Sequence, residues 1–466
     1  MQILNRGMMA RYEIEAHVPS RLRAVQFGTG EALLGAVDRL IDGTDIGVCV
    51  VQTGGGDAAA LGAQDGMYTL VIRGEADERR VQREQVVQCV LRAIDPGEDF
   101  AALTALAAEP GLGLALLDTA APDAATALAL AARLLCARRA AGLGGLDFIC
   151  LGEDAECAAR AREMIGRVAA SWGLGAFFGE WLRSANAFAP ALCESLAFRA
   201  DAKERARLCA AMNYEDALVH AAEPFVRLTV AADADLAARW LIPGVEYAPS
   251  LDEALALKRR VYDAGLFAMA APGWLLGCET LADCMRHATL RRWMGGVWMN
   301  EILPGAPLPR ERVAERVIET CARFENPMND NRILNAASGL LARFVRGALP
   351  IVRARAAEDF EPPRALAFAL AATIMLYAGA RPNAAGEFEV ARGSQTAVLR
   401  DDPEALAVFA RLSHDMPPES LAYAALADRE LWQGADLRDI EGLESRVALD
   451  IAAMQRDPGF LPEPEA

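Results

Sequence analysis

Three groups of residues in this 466-residue chain are of types that can do chemistry. The first is Gly28-Thr29-Gly30, which closes an apolar stretch from Leu22 to Phe27. It opens a segment in which Leu33, Val37, Leu40 and Ile41 recur at helical spacing. Strand, glycine turn and helix in that order present unpaired backbone N–H groups and the positive end of a helix dipole, where a pyrophosphate can sit. The pattern is G-x-G only, since Leu33 stands where a third glycine would fall, and a plain turn can read the same way. Its place after the first strand of a βαβ unit favours the nucleotide reading. The next strand ends in Val50-Val51-Gln52-Thr53, with no acid for a ribose 2′-hydroxyl, so NAD and NADP are not distinguished.

The second group is Lys258-Arg259-Arg260. It is either a solvated helix face or a local basic pocket for an anionic substrate. The third is made of ten cysteines and four histidines, with no C-x2-C pair and no histidine at zinc-ligand spacing, so no metal is expected. The cysteines, Cys150 and Cys157 included, read as small buried hydrophobes of a reducing compartment. His220 and His287 lack a spaced partner and are expected as surface or capped histidines rather than catalysts.

Elements must position these groups. Ile46 to Val51 is spaced as the second strand of a βαβ unit. Strand-like runs follow at Tyr68 to Ile72, Leu112 to Leu117 and Leu146 to Cys150, separated by stretches read as helical, Glu84 to Ile94 and Ala124 to Ala140. Alternating strands and helices imply a largely parallel sheet covered on both faces. Beyond about Val230 helical periodicity dominates and strand signals become rare. Pro243 and Pro249 bracket a crossing segment, and Pro350, Pro362, Pro363 and Pro417-Pro418 punctuate later helices. The fold class expected is α/β: a Rossmann-like parallel-sheet domain over residues 1–245, then a mostly α-helical domain over residues 246–466. Trp293, Trp298 and Phe324 are expected in its core, and Glu301 in a structural helix contact.

The totals exclude several classes of function. Hydrophobic residues make up 53% and charged residues 24%, a globular balance with room for two cores. A net charge of -17 argues against nucleic acid as a partner, because phosphate backbones need clustered cations. The first residues lack the continuous apolar run of a signal peptide. Ala365 to Ala380 is uncharged but shorter than the roughly 20 residues that span a bilayer, so it reads as a buried helix. A cytoplasmic protein, with no membrane partner, is the expectation.

Several segments together resemble the mannitol dehydrogenase family of long-chain polyol dehydrogenases, and within it the tagaturonate reductases. The most specific is Gln64-Asp65-Gly66-Met67-Tyr68-Thr69 followed by Ile72-Arg73-Gly74, similar to that family's QDGLYT segment. Gln26 to Gly30, Glu223-Pro224-Phe225, Arg323-Phe324 with Asn326-Pro327, Arg343-Phe344 with Leu349-Pro350, Trp432, Asp436-Leu437 and Gly442-Leu443 match in order. The resemblance implies metal-independent hydride transfer between a nicotinamide cofactor, NAD with NADP left open, and a sugar acid or polyol. Tagaturonate to altronate is the expected reaction, in a cleft between the domains of a monomer or small homo-oligomer. It also implies a cofactor-binding set of Phe27, Gly28, Thr29, Gly30, Glu31, Asp65, Asp118 and Thr119.

The family's chemistry centres on a K-x4-N-x2-H pattern: a desolvated lysine accepts the alcohol proton while asparagine and histidine steady the oxygen. Aligned on Pro272, this chain has Arg259, Ala264 and Phe267 at those positions, and arginine stays protonated. Sliding by one residue gives Lys258, Asp263 and Leu266, where a fixed carboxylate would repel an alkoxide. Other departures are Leu34 for an arginine after the turn, Asp118-Thr119-Ala120-Ala121 for an Asn-Thr-Thr-Glu segment, Cys193-Glu194-Ser195 for Val-Asp-Arg and Gly339 for an asparagine. Two readings follow. One is a working reductase with Lys258 and Arg259 as the catalytic pair, in which Lys258 or another group handles the proton, Arg259 and Arg260 hold a substrate carboxylate, and Asn186 and Asn331 join Arg260 in substrate binding. The other is a non-catalytic paralogue that keeps the fold as a nucleotide-binding or regulatory protein.

Overall fold

Val48, Cys49, Val50 and Val51 are all fully buried, as a strand covered on both faces requires. The computed structural model describes residues 1–12, 17–76, 79–326, 332–336, 338–359, 361–393 and 395–463. The chain divides into two compact units, Met1–Leu255 and Ala256–Ala466.

Besides a two-residue pair, Gln2–Ile3 with Tyr214–Glu215, the strands of the first unit are β1 (Leu22–Phe27), β2 (Gly47–Val51), β3 (Tyr68–Ala76), β4 (Arg79–Val87), β5 (Val90–Ile94), β6 (Leu114–Asp118), β7 (Asp147–Leu151), β8 (Ala187–Glu194), β9 (Ala197–Arg199), β10 (His220–Ala222), β11 (Arg227–Ala231) and β12 (Val245–Ala248). Eight of them form one sheet in the order β12-β11-β8-β7-β6-β1-β2-β5. The run from β8 to β5 is parallel, and β11 turns antiparallel against β8. Side chains alternate between two cores: Val48, Val50, Leu114 and Leu116 enter one, while Cys49, Val51, Ala115 and Leu117 enter the other. Leu134 and Leu135 of the helix Ala124–Ala140 cover the second face.

The stretch from Glu84 to Ile94, read above as helical, is instead the end of β4 and all of β5. Val86, Val87, Val90, Leu91 and Ile94 fit helical spacing, but short apolar runs are ambiguous by period alone and β-branched valines favour the pleat. Tyr68 to Ile72 is a strand as expected, yet it belongs to a separate sheet, β9-β10-β3-β4. Proline-bracketed Val245–Ala248 is a strand too, hydrogen bonded to β11, which carries the large sheet past the last strand signal read above.

The helix of residues 31–41, here α1, follows β1 and contains a π-helical segment, Leu33–Val37. Gly35 lies in that segment, and a Cβ there would stand 2.1 Å from the Ala197 Cβ, so only glycine lets β9 close on the helix. The QDGMYT segment ties these parts together. The Gln64 amide donates to Asp216 Oδ1 and accepts from Ala217, and Thr69 N–H donates to Asp216 Oδ2 at 2.6 Å. Tyr68 O–H donates to the Leu34 carbonyl at 2.7 Å, one of the acceptors in the widened π turn.

The second unit is mostly helical, with a small antiparallel sheet (Arg381–Pro382, Phe388–Arg392, Gln395–Val398) that no strand signal announced. Its core includes the helix Arg364–Ala378, which matches the buried apolar segment read from the sequence. Among the described residues no helix is long and apolar enough to cross a membrane. Glu301 caps that helix by accepting from Ala365 N–H at 2.7 Å and Leu366 N–H at 2.9 Å. Trp293, Trp298 and Phe324 are core residues, each buried.

Gly66 has φ of +81°, and a Cβ there would stand 2.0 Å from the Val90 carbonyl oxygen. Gly66→Ala therefore lowers the stability of the full chain by roughly 3 kcal/mol or more in urea melts, because both the backbone and the neighbouring strand must shift. An unchanged midpoint would contradict this packing.

Candidate functional site

The parallel strands end together at Phe27, Val51, Ile94, Asp118 and Leu151. After β1 the chain adds β2 and β5 on one side, and after β5 it crosses to add β6 and β7 on the other. The reversal leaves an opening between the ends of β1 and β6, the place where open α/β sheets bind ligands. Gly28-Thr29-Gly30 occupies that place. Gly28 has φ of +100°, and a Cβ there would lie 2.9 Å from Thr53 Oγ1. Gly30 sits beside β6: its missing Cβ would be 3.8 Å from Asp118 Oδ2.

A buried network supports the turn from below. The Gln26 side-chain amide donates to the Gly28 carbonyl at 3.2 Å and faces Asp38 Oδ2 at 3.5 Å. Tyr68 O–H lies 3.0 Å from the same Asp38 oxygen. Gln26 and Asp38 are both fully buried. Burial pushes the Asp38 carboxyl up to about 7, against the hydrogen bonds from Tyr68 and Gln26 that hold it down. Asp38 Oδ1 and Gln26 Oε1 have no partner among the described residues, and a proton on Asp38 supplies a donor exactly where acceptors crowd.

Above the turn the side chains are acidic. Thr29 O–H donates to Asp57 Oδ2 at 2.7 Å, and Asp57 Oδ1 accepts from Arg199 Nη1 at 2.7 Å. Thr53 O–H donates to Asp123 Oδ2. Burial raises the carboxyls of Asp118 and Glu31, with Asp123 and Glu153 adding repulsion at Asp118 and a backbone hydrogen bond from Arg199 opposing the shift at Glu31. Asp57, Asp123 and Arg199 were not singled out in the sequence. The run Thr53-Gly54-Gly55-Gly56-Asp57, a second glycine turn directly after β2, is the signal that could have found the first two.

Of the eight cofactor residues named above, the structure brings Phe27 to Glu31 together with Asp118 and Thr119, whose O–H donates to the Leu151 carbonyl at 2.7 Å. Asp65 is not brought there. It precedes Gly66, which packs on Val90 at the opening end of β5, and its carboxylate accepts from Arg6 N–H at 3.0 Å. Asn186 is buried, with its amide oxygen on Leu146 N–H at 2.8 Å and its amide nitrogen on the Trp181 and Leu182 carbonyls. It joins a helix end to the start of β7. His220 is buried rather than exposed, bonded to the Leu218 carbonyl at 2.6 Å, and burial lowers it to about 4. His287 caps a helix through Leu290 N–H. Asn331 lies outside the described residues, as does Pro327.

In the second unit Lys258–Asp263 is a π-helical segment inside the long helix of residues 252–275. A helix bonded from i to i+5 stacks residues five apart on one face, and Lys258 Nζ accordingly meets Asp263 Oδ2 at 3.3 Å. Asp263 Oδ1 accepts from Arg343 Nη1. One buried carboxylate is thus shared by two cations, which offsets the repulsion for an alkoxide expected from Asp263 alone. A second π segment, Phe344–Ala348, packs on the first, where the missing Cβ of Gly347 would be 2.5 Å from the Arg259 carbonyl oxygen. Arg260 Nη1 donates to the Arg346 and Gly347 carbonyls and laces the two turns. Ala264 and Phe267 are fully buried, and Phe267 packs on Phe344 in a tilted pair at 4.8 Å between ring centres, so these positions carry packing and no polar group.

No protein-family model matches the chain. An altronate oxidoreductase of Klebsiella pneumoniae (strain 342) is 28% identical over 475 residues, 94% of this chain and 95% of that one. A Pseudomonas fluorescens mannitol 2-dehydrogenase, solved in ternary complex with NAD and D-mannitol, superposes with a TM-score of 0.73 at 16% identity, covering 98% of each chain. A substrate-free D-sorbitol dehydrogenase superposes with a TM-score of 0.74 at 17% identity, covering 98% of this chain and 99% of that one. At such identities the two solved structures establish the fold alone.

Two outcomes test the networks. An acid raised in the folded state from 3.8 to about 7 takes up a proton on folding between those values, so its contribution to stability falls as pH rises through that window and levels above it. Asp38→Asn removes the fall: relative to the parent chain it gains on the order of a few kcal/mol between pH 4 and pH 8, whereas a constant difference in thermal melts would contradict a neutral Asp38. Asp263→Ala leaves two cations without their shared anion and lowers stability by on the order of 3 kcal/mol, a loss that denaturant midpoints measure.

Proposed function

We propose that this chain, a homologue of the altronate oxidoreductases over nearly its whole length with the fold of mannitol and sorbitol dehydrogenases, is an NAD(H)-dependent oxidoreductase. Its reaction interconverts a sugar acid or polyol and its keto form, tagaturonate to altronate being the pair that the family resemblance implies and the name of the altronate oxidoreductases supports. The observation that carries the reading is the Gly28 turn at the reversal point of the parallel sheet, open toward the ends of β1 and β6.

The residues present fit a dinucleotide. The start of α1 offers backbone N–H groups, and Gly28 and Gly30 leave room for phosphate to approach. When bound, a nicotinamide supplies hydride transfer. The chain's own part is then to place the dinucleotide and to move one proton. Lys258, whose Nζ lies 3.3 Å from Asp263 Oδ2, is suited to donate a proton from Nζ to the oxygen of a ketone being reduced, and Arg343 balances the carboxylate left behind. Arg259 serves as the partner of a substrate carboxylate, which a guanidinium meets with paired hydrogen bonds. Arg260 and Asn186 are assigned structural tasks, in keeping with their carbonyl and backbone partners.

A second reading, a nucleotide-binding protein without turnover, is favoured by one observation: the asparagine and histidine positions of the family pattern are the buried Ala264 and Phe267. Loss of NADH absorbance with tagaturonate and related ketouronates separates the two. The proposal expects turnover that Lys258→Met reduces about 100-fold or more in kcat, with NADH binding retained. A folded sample that binds NADH and turns over none of these substrates at any pH would establish the second reading instead.

A further inference from the structure

We infer that Asp123 makes the dinucleotide site selective for an adenosine ribose with a free 2′-hydroxyl, against one that carries a 2′-phosphate; this rests on the cradle reading above. In dinucleotide folds that choice is made at the tip of the second strand, by an acid that accepts from the ribose hydroxyl or by a cation that accepts a phosphate. Here the tip, Gln52-Thr53, carries neither. The Gln52 amide is engaged with Asp95 and with Ala58 N–H.

The carboxylate arrives from another strand. Asp123 stands directly before the helix Ala124–Ala140 that follows β6, and Thr53 O–H holds its Oδ2. That oxygen lies 3.4 Å from where a Gly54 Cβ would be and 3.8 Å from where a Gly28 Cβ would be. The charge therefore sits against both glycine turns, at the tips of β1 and β2. Gly28 is what allows it: a side chain there would collide with Thr53 Oγ1 and displace the hydroxyl that anchors Asp123. A Cβ at Gly55 or Gly56 would meet nothing within 4 Å, so the turn beside the carboxylate is uncrowded and leaves a sugar room to approach.

With Oδ2 taken by Thr53, Oδ1 is left to accept from a ribose hydroxyl. A 2′-phosphate in the same place brings two negative charges against a fixed third. Among the described residues no arginine or lysine is paired with Asp123, and the Arg199 guanidinium is held by Asp57. Like charges a few ångströms apart on a partly desolvated surface separate the two ligands by about tenfold or more in affinity.

Calorimetric titration of the full chain with NADH, NADPH, ADP-ribose and 2′-phospho-ADP-ribose tests this without relying on turnover. The expected result is binding of the unphosphorylated member of each pair at least about tenfold tighter. Asp123→Asn, which keeps an acceptor for Thr53, shrinks the ratio about tenfold, chiefly by tightening the phosphorylated ligands. Asp123→Ser does the same should the asparagine variant fail to fold by near-ultraviolet circular dichroism. Equal affinities in the parent chain, or an unchanged ratio in a folded variant, overturn the inference and leave the cradle standing. Binding of none of the four to a folded parent chain overturns both.

Discussion

Gln26 has no water to turn to, so its amide can support the Gly28 carbonyl only while Asp38, Tyr68 and Leu34 hold their places around it. Much of the first unit follows from that constraint. The π segment in α1 widens the helix where Tyr68 reaches in, Gly35 lets β9 close over it, and the QDGMYT segment locks β3 to Asp216. The segment that most specifically resembled a known family is therefore scaffolding beneath a turn. A buried acid near neutrality is the cost of this arrangement, and it is tolerated because the proton that removes its charge also supplies a donor.

The second unit solves a related problem with paired π turns. A widened turn leaves carbonyls poorly matched to their own helix, and Arg260 takes up those of Arg346 and Gly347. The same widening sets Lys258 and Asp263 on one face, where an α-helix would splay residues five apart. Charge and backbone irregularity are thus concentrated in a helix whose following turns, Ala264 to Trp274, are wholly apolar and buried. Within this helix the charged side chains all lie before Ala264.

Much of the fold was legible because the large sheet is periodic and buried. Strands β1, β2, β6 and β7, and the break into helices, follow from runs such as Val48 to Val51 and from the glycine turn. The valines near 86 to 90 were misread because a short apolar run satisfies two periods at once. The site was legible in part. Local spacing finds Gly28 to Gly30, but Asp123 and Arg199 reach the turn only through the crossover of β6 and the docking of a second sheet, and no local pattern encodes either. The one-residue ambiguity in aligning Lys258 or Arg259 has a physical source as well: a π turn is an inserted residue, which shifts the register between the two ends of a helix.

The central claim is that the opening above Gly28 is a nucleotide cradle. Hydrogen–deuterium exchange of the full chain, with and without NADH, tests it most directly. The account predicts slowed exchange confined to the amides of residues 29–32 and of the Thr53 to Asp57 turn, where backbone N–H groups gain phosphate or sugar partners, since Gly28, Leu33 and Leu34 already donate to backbone carbonyls. Protection elsewhere, with these two turns unchanged in the presence of bound NADH, would contradict it.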